Sequence, residues 1–172
     1  MKSIAKALMA ASDTVDRILR GTAIFFLCLM VGAIVLQVLA RYGFSAPPAW
    51  TEEAARYCMV WVGLLGASVS YKIGFDPVLV KLPRKLSPAL RVITAFFRGA
   101  SVFIFLSPIL WYSFFGPGQN VSRSFLMRNL NTMAESIDMP LIFIAITVPI
   151  FIGAIFLHGL AHMASAFQAD KH

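Results

Sequence analysis

Charged side chains are scarce in this sequence. Asp, Glu, Lys and Arg make up 13% of its 172 residues, while 59% are apolar. That charged share is about half of what a soluble domain carries, so a soluble fold is not expected. Acid is scarcer still: there are eight Asp and Glu residues in all, and each falls at an expected surface or helix end. An ion-coupled transporter or proton pump needs ionisable or coordinating groups near mid-membrane, because apolar side chains neither hold an ion nor take up a proton. The sequence also has no inverted repeat and no Gly-rich, unwound helix centre of the kind that builds substrate sites in secondary transporters. A chain so equipped is not expected to carry solute alone. The two cysteines, Cys28 and Cys58, fall at different depths. Counted from the turn between their helices at ~1.5 Å per residue, they lie about 12 Å apart, beyond the ~7 Å Cα limit of a disulfide. His158 and His162 are four apart on the last helix, but two ligands do not close a metal site. Their expected place is the cytoplasmic edge, in an interfacial role, whereas a haem anchor needs axial histidines projecting into the bundle. No nucleophile–base pair, phosphate loop or nucleotide motif occurs, so no catalytic, metal or cofactor residues are assigned and the chain is not expected to be an enzyme.

What the sequence does contain is apolar length. Four windows, approximately 22–40, 54–71, 92–115 and 139–158, are each near the ~20 residues that cross a bilayer as a helix. The expected fold is all-α and integral to the membrane: a single four-helix domain over residues 1–172. The net charge of +7 follows topology and is not a nucleic-acid surface. Lys2, Lys6, Arg17, Arg20, Lys72, Lys81, Arg84, Lys85, Arg91 and Lys171 lie on one side, against Arg41, Arg56, Arg123 and Arg128 on the other. The excess of basic residues on the first side places both termini in the cytoplasm. Residues 1–20 alternate charge with apolar positions at helical spacing, which suits a segment lying on the cytoplasmic membrane surface. The connection 73–89 contains Gly74, Pro77, Pro83 and Pro88, cannot be one continuous helix, and is expected at the interface. Arg98 lies about two turns into the third span and is expected to snorkel back to the surface. Ser107 and Pro108 predict a kink in that span. In 116–138, apolar residues recur every three to five positions, which predicts a short amphipathic helix on the outer surface. The last span is predicted to open with Asp138 as N-cap and Pro140 near the first helical position, and to bend at Pro149.

The informative polar residues concentrate in 37–66, QVLARYGFSAPPAWTEEAARYCMVWVGLLG. This reads as the end of one span, a turn closed by Pro47 and Pro48, and the capped start of the next. Thr51 is the expected N-cap, and Glu52 and Glu53 then meet the positive end of the helix dipole. Trp50 stands at the depth of an interfacial anchor. Arg56 follows the two glutamates by four and three residues, so the three can share a face, with Arg41 and Gln37 arriving across the turn. Farther along, Gly63, Gly66, Ala67 and Ser70 form a small-residue stripe that lets another helix approach closely. That other helix belongs either to this chain or to a partner subunit.

Several of these residues carry a resemblance. Gln37-Val38, Arg41-Tyr42, Trp50-Thr51-Glu52-Glu53, Ala55-Arg56-Tyr57 and Trp61 with Gly66 resemble the signature of the small, DctQ-like membrane subunit of tripartite ATP-independent periplasmic (TRAP) transporters. Asp16-Arg17, Leu82-Pro83 and the spacing of Met139-Pro140 and Val148-Pro149 fit the same pattern. Lys72-Ile73-Gly74-Phe75-Asp76 departs from it, where the family often has a basic Gly-Gly-His-like turn. The resemblance implies a multi-pass subunit of the bacterial inner membrane. In this family a large (M type) membrane subunit holds the substrate and sodium sites, and a periplasmic (P type) binding protein delivers an organic acid. The small subunit would pack on the large one's scaffold within lipid. Gln37, Arg41, Trp50, Glu52, Glu53, Arg56, Gly63, Gly66 and Ser70 are its candidate structural and partner-interface residues. The runner-up is a membrane anchor subunit of a respiratory enzyme; a self-sufficient four-helix exporter would require a central acidic residue.

Overall fold

The structure, a computed structural model, describes residues 2–74 and 88–169. The interfacial connection expected over 73–89 lies mostly outside the described residues, as does the side chain of Arg98. The first helix, α1 (Lys2–Phe44), has 43 residues and a length of about 64 Å at ~1.5 Å per residue. That is twice a ~30 Å hydrocarbon core. The expectation of a separate surface segment over 1–20 is therefore corrected: the amphipathic stretch is coaxial with the apolar one. No proline occurs before Pro47, so nothing at Arg20 interrupts the ladder of backbone hydrogen bonds. The helix ends where Ser45 takes a positive φ of 52° and Pro47 pushes its predecessor out of the helical region.

In α2 (Ala49–Ile73) the N-cap is Pro48, with φ −66° and no side-chain cap bond, and not Thr51. The ring of Pro48 presets the entry to the helix, which therefore starts earlier than the expected cap. Thr51 lies inside the first turn, fully buried, and its hydroxyl donates to Pro48 O at 2.7 Å. At the other end Gly74, at φ 68°, donates its N–H to Ser70 O and Tyr71 O, the left-handed closure that glycine permits without a Cβ penalty.

Helix α3 (Pro88–Phe114) opens on a proline and continues through Pro108 without interruption. The loop that follows is less helical than its periodicity suggested. Pro117–Gln119 and Val121–Arg123 form 3-10 turns, and only α4 (Phe125–Leu130) is α-helical. Gly116, Gly118 and the self-capping Asn120 and Ser124 break the run into single turns. Residues 132–141 then fold back on themselves: Leu141 N–H donates to Thr132 O at 2.9 Å and Ala134 N–H to Met139 O at 3.0 Å. That hairpin is why Asp138 is not the N-cap of the last span. The first residue free to cap is Leu141, which precedes α5 (Ile142–Ala145). A break at Ile146 separates α5 from α6 (Thr147–Ala169). Pro149 has no N–H for the carbonyl of Ala145, and its ring crowds that carbonyl, so the interruption falls one turn before it.

Helix α6 is the shared element, packed by α1, α2 and α3. On one side Leu19, Leu65 and Ala154 form a buried cluster with Trp61 and Val69 against it. On the other, Tyr71, Leu106, Ile152 and Ile155 do the same, and Phe103 stacks on Phe156 at 4.3 Å. The α1–α2 pair runs antiparallel, with Phe26 stacked on Trp61 at 4.6 Å and Ser12 level with Lys72. Among the described residues, three stretches are long and apolar enough to cross a membrane: Ala5–Phe44, Gly99–Gln119 and Ile142–Ser165. The fourth expected span, α2, is outside that set because Arg56 and its Gly, Ser and Tyr residues dilute the apolar run.

Candidate functional site

The first turn of α2 and the 132–141 hairpin meet at one carboxylate. Glu53 is 4% exposed and accepts hydrogen bonds from Glu135 N–H at 2.9 Å and Ser136 N–H at 2.6 Å. The Tyr57 hydroxyl, one turn along, also donates to it. These bonds satisfy two backbone amides that no ladder serves, and charge-assisted bonds of this kind are the strong ones. The Tyr57 hydroxyl and the amides of Glu135, Ser136 and Ile137 hold the Glu53 carboxyl below its ordinary range, against the opposing effect of burial. The 116–138 loop is thereby clamped to the α1–α2 hairpin.

This geometry corrects the expected charge cluster. Among the described residues the ion pairs are Arg20–Asp16, Lys72–Asp13 and Lys72–Asp16; none joins Arg41, Glu52, Glu53 and Arg56. Glu53 has turned inward to the loop, one residue round the helix from Glu52. The two glutamates therefore lie on different faces. The inward face of α2 carries Thr51, Glu53, Cys58, Leu65, Ser68 and Tyr71. The outward face carries Glu52, Arg56, Met59, Gly63 and Ala67, all exposed, with Gly66 and Ser70 half-buried at its edge. Among the described residues, a Cβ added at Gly63 or Gly66 would meet nothing within 4 Å, so none of them uses the close-approach surface of these glycines. Across the turn Gln37 is half-buried, and Arg41 and Trp50 are exposed. Trp50 and Ala54 line an apolar groove of about 600 Å³ with Cys28, Gly32, Leu36 and Ile137.

A second polar site, at the other end of the bundle, was not anticipated. His158 is fully buried, not interfacial, and its Nδ1 lies 2.8 Å from Ser12 Oγ. Lys72 Nζ donates to Ser12 O at 3.1 Å and to Asp13 Oδ1 at 2.7 Å. Asp16, 9% exposed, lies 3.8 Å from Lys72 Nζ and bonds Arg20 at 3.1 Å. The rule that every acid lies at a surface or helix end fails at Asp16, which sits mid-helix because α1 continues where a boundary was expected. Only the Asp16/Arg20 spacing of four signalled this node in advance. Cys28 is an exposed free thiol and Cys58 a buried one.

Against known proteins, the chain is 32% identical over 74 residues to a Haemophilus influenzae protein named as a TRAP transporter small permease, covering 43% of this chain and 46% of that protein. It is 42% identical over 41 residues to the sialic acid TRAP transporter permease protein SiaT of Haemophilus influenzae, covering 24% of this chain and 7% of that protein. The matched segments thus span under half of either relative. No solved structure matches. The sequence model of the family described as tripartite ATP-independent periplasmic transporters, DctQ component, matches residues 30–169. That stretch holds α2 to α6 and the loop clamped by Glu53, and the chain belongs to this family of TRAP transporter small membrane subunits.

Proposed function

We propose that the chain is an accessory subunit that packs on and stabilises the large, sodium-coupled membrane subunit of a TRAP transporter while a periplasmic binding protein delivers an organic acid. In this reading α2 crosses the bacterial inner membrane as a fourth span, held by α1 and α6, and both termini are cytoplasmic. The observation that carries it is the outward face of α2. With the chain's own cores served by the opposite face, Gly63, Gly66 and Ala67 present small surface to another helix, where close backbone approach is the main source of association in lipid. The similarity to part of a sialic acid TRAP permease supports an organic acid as cargo. The clamp at Glu53 holds the 116–138 loop in one position over the outer turn, where the binding protein would dock.

Co-expression with an untagged large TRAP subunit tests this. The tagged chain should retain the large subunit through purification, and Gly63→Leu should release it while leaving the chain's own fold intact. In vesicles the lone chain should move neither sodium nor an organic acid. Robust uptake by the chain alone, or retention unchanged in the Gly63→Leu variant, would sink the proposal.

A further inference from the structure

Beyond α3, within the 116–138 loop, the chain builds a polar cavity to which the subunit role assigns no ligand. Its volume is about 370 Å³. Arg123 and Arg128 line it with Tyr112, Phe125, Asn129 and Thr132, and among the described residues no acidic one does. The two arginines are carried on locked turns. Gly116 N–H donates to Asn120 O at 3.1 Å, and a Cβ on Gly116 would lie 2.4 Å from the backbone of Arg123, so the turn rests directly on that residue. The Asn120 side chain accepts from Ser122 N–H at 3.0 Å, closing the turn that ends at Arg123. The Ser124 hydroxyl accepts from Met127 N–H at 3.3 Å, capping the helix that carries Arg128. Neither guanidinium has a carboxylate within ion-pair distance among the described residues. Two like charges facing one cavity repel, and an oxyanion between them converts that repulsion into bidentate, charge-assisted bonds.

The depth of the cavity identifies the source of the oxyanion. Trp111 stacks on Phe115 at 4.6 Å, and Trp111, Tyr112 and Phe114 are all exposed at the end of an apolar helix. Such a belt of exposed aromatic rings marks the headgroup level of a bilayer, and Tyr112 belongs to both belt and cavity. We infer that this cavity is an oxyanion site, and that in the membrane it holds the phosphate of a phospholipid headgroup.

Native mass spectrometry of the purified full chain, titrated with phosphatidylglycerol, with diacylglycerol and with inorganic phosphate, tests the inference. Phosphatidylglycerol should bind saturably and diacylglycerol should not. The Arg123→Gln/Arg128→Gln double variant should bind phosphatidylglycerol at least tenfold more weakly. Arg123→Lys/Arg128→Lys, which keeps the charge, should restore part of the loss. Lys6→Gln, far from the cavity, should stay within twofold of the parent. Circular dichroism with an unshifted thermal midpoint excludes misfolding as the cause. Equal binding of diacylglycerol, or no loss in the glutamine double variant, overturns the site. Saturable inorganic phosphate with phosphatidylglycerol no better than diacylglycerol overturns the lipid assignment. Either failure is distinguishable from failure of the subunit role, which is read by retention of the large subunit.

Discussion

The bond between Ser12 and His158 ties the N-terminal arm of α1 to α6, and its strength can be worked out from the surroundings. His158 is fully buried and Ser12 is 3% exposed, their atoms lie 2.8 Å apart, and the other ring nitrogen, Nε2, is buried without a partner among the described residues. Ser12→Ala therefore leaves the imidazole with no hydrogen bond at all, while Lys72 keeps its bond to the Ser12 backbone oxygen. A buried polar group stripped of its partner costs about 1–3 kcal/mol, which shifts the folded-to-unfolded ratio by roughly 5- to 150-fold. His158→Leu alone costs less at this contact, because the freed hydroxyl turns to a carbonyl of its own helix. The double variant replaces both partners by apolar groups and should lie near the parent. Reversible unfolding in detergent of the four proteins gives the coupling energy, expected at about 1 kcal/mol or more. Additive losses, within roughly 0.5 kcal/mol, would refute the bond and with it the anchoring of the α1 arm.

Glu53→Gln replaces one of two acceptor oxygens by a donor facing an N–H, so the 116–138 loop should be cleaved faster by a protease added on that side. The Glu53 carboxyl titrates below its ordinary value when folded. Its contribution is thus complete above the unfolded value and lost only as pH falls through the lower, folded one. Loop protection in the parent should drop on acidification through that window, and Glu53→Gln should abolish the step. Gly63→Leu should leave the isolated chain within about 0.5 kcal/mol of the parent, read by thermal unfolding, since the added side chain meets open space. Gly116→Ala should destabilise by roughly 1–3 kcal/mol, the cost of forcing atoms into a packed site. Its Cβ meets the backbone of Arg123, and loss of lipid binding by native mass spectrometry should accompany the lower midpoint.

Much of the outline was legible because it rests on short-range rules. Apolar runs against a ~30 Å core and the breaking action of Pro47 and Pro149 are read within a few residues of sequence. So are the small residues on one face of α2 and the signature around Trp50-Thr51-Glu52-Glu53. Local reading went wrong where a local rule met a distant partner. Glu53 looked like a helix-dipole carboxylate beside Arg56, yet two amides 82 and 83 residues away claim it. His158 looked interfacial until Ser12, 146 residues earlier, buried it. By itself, then, the sequence determined membrane residence, helix placement and family, because hydropathy and backbone sterics act along the chain. Only the tertiary structure decided which polar groups are satisfied within the chain and which face stays open. A charged or hydrogen-bonding side chain goes to whichever partner packing brings within about 3 Å, and neither composition nor periodicity encodes that distance.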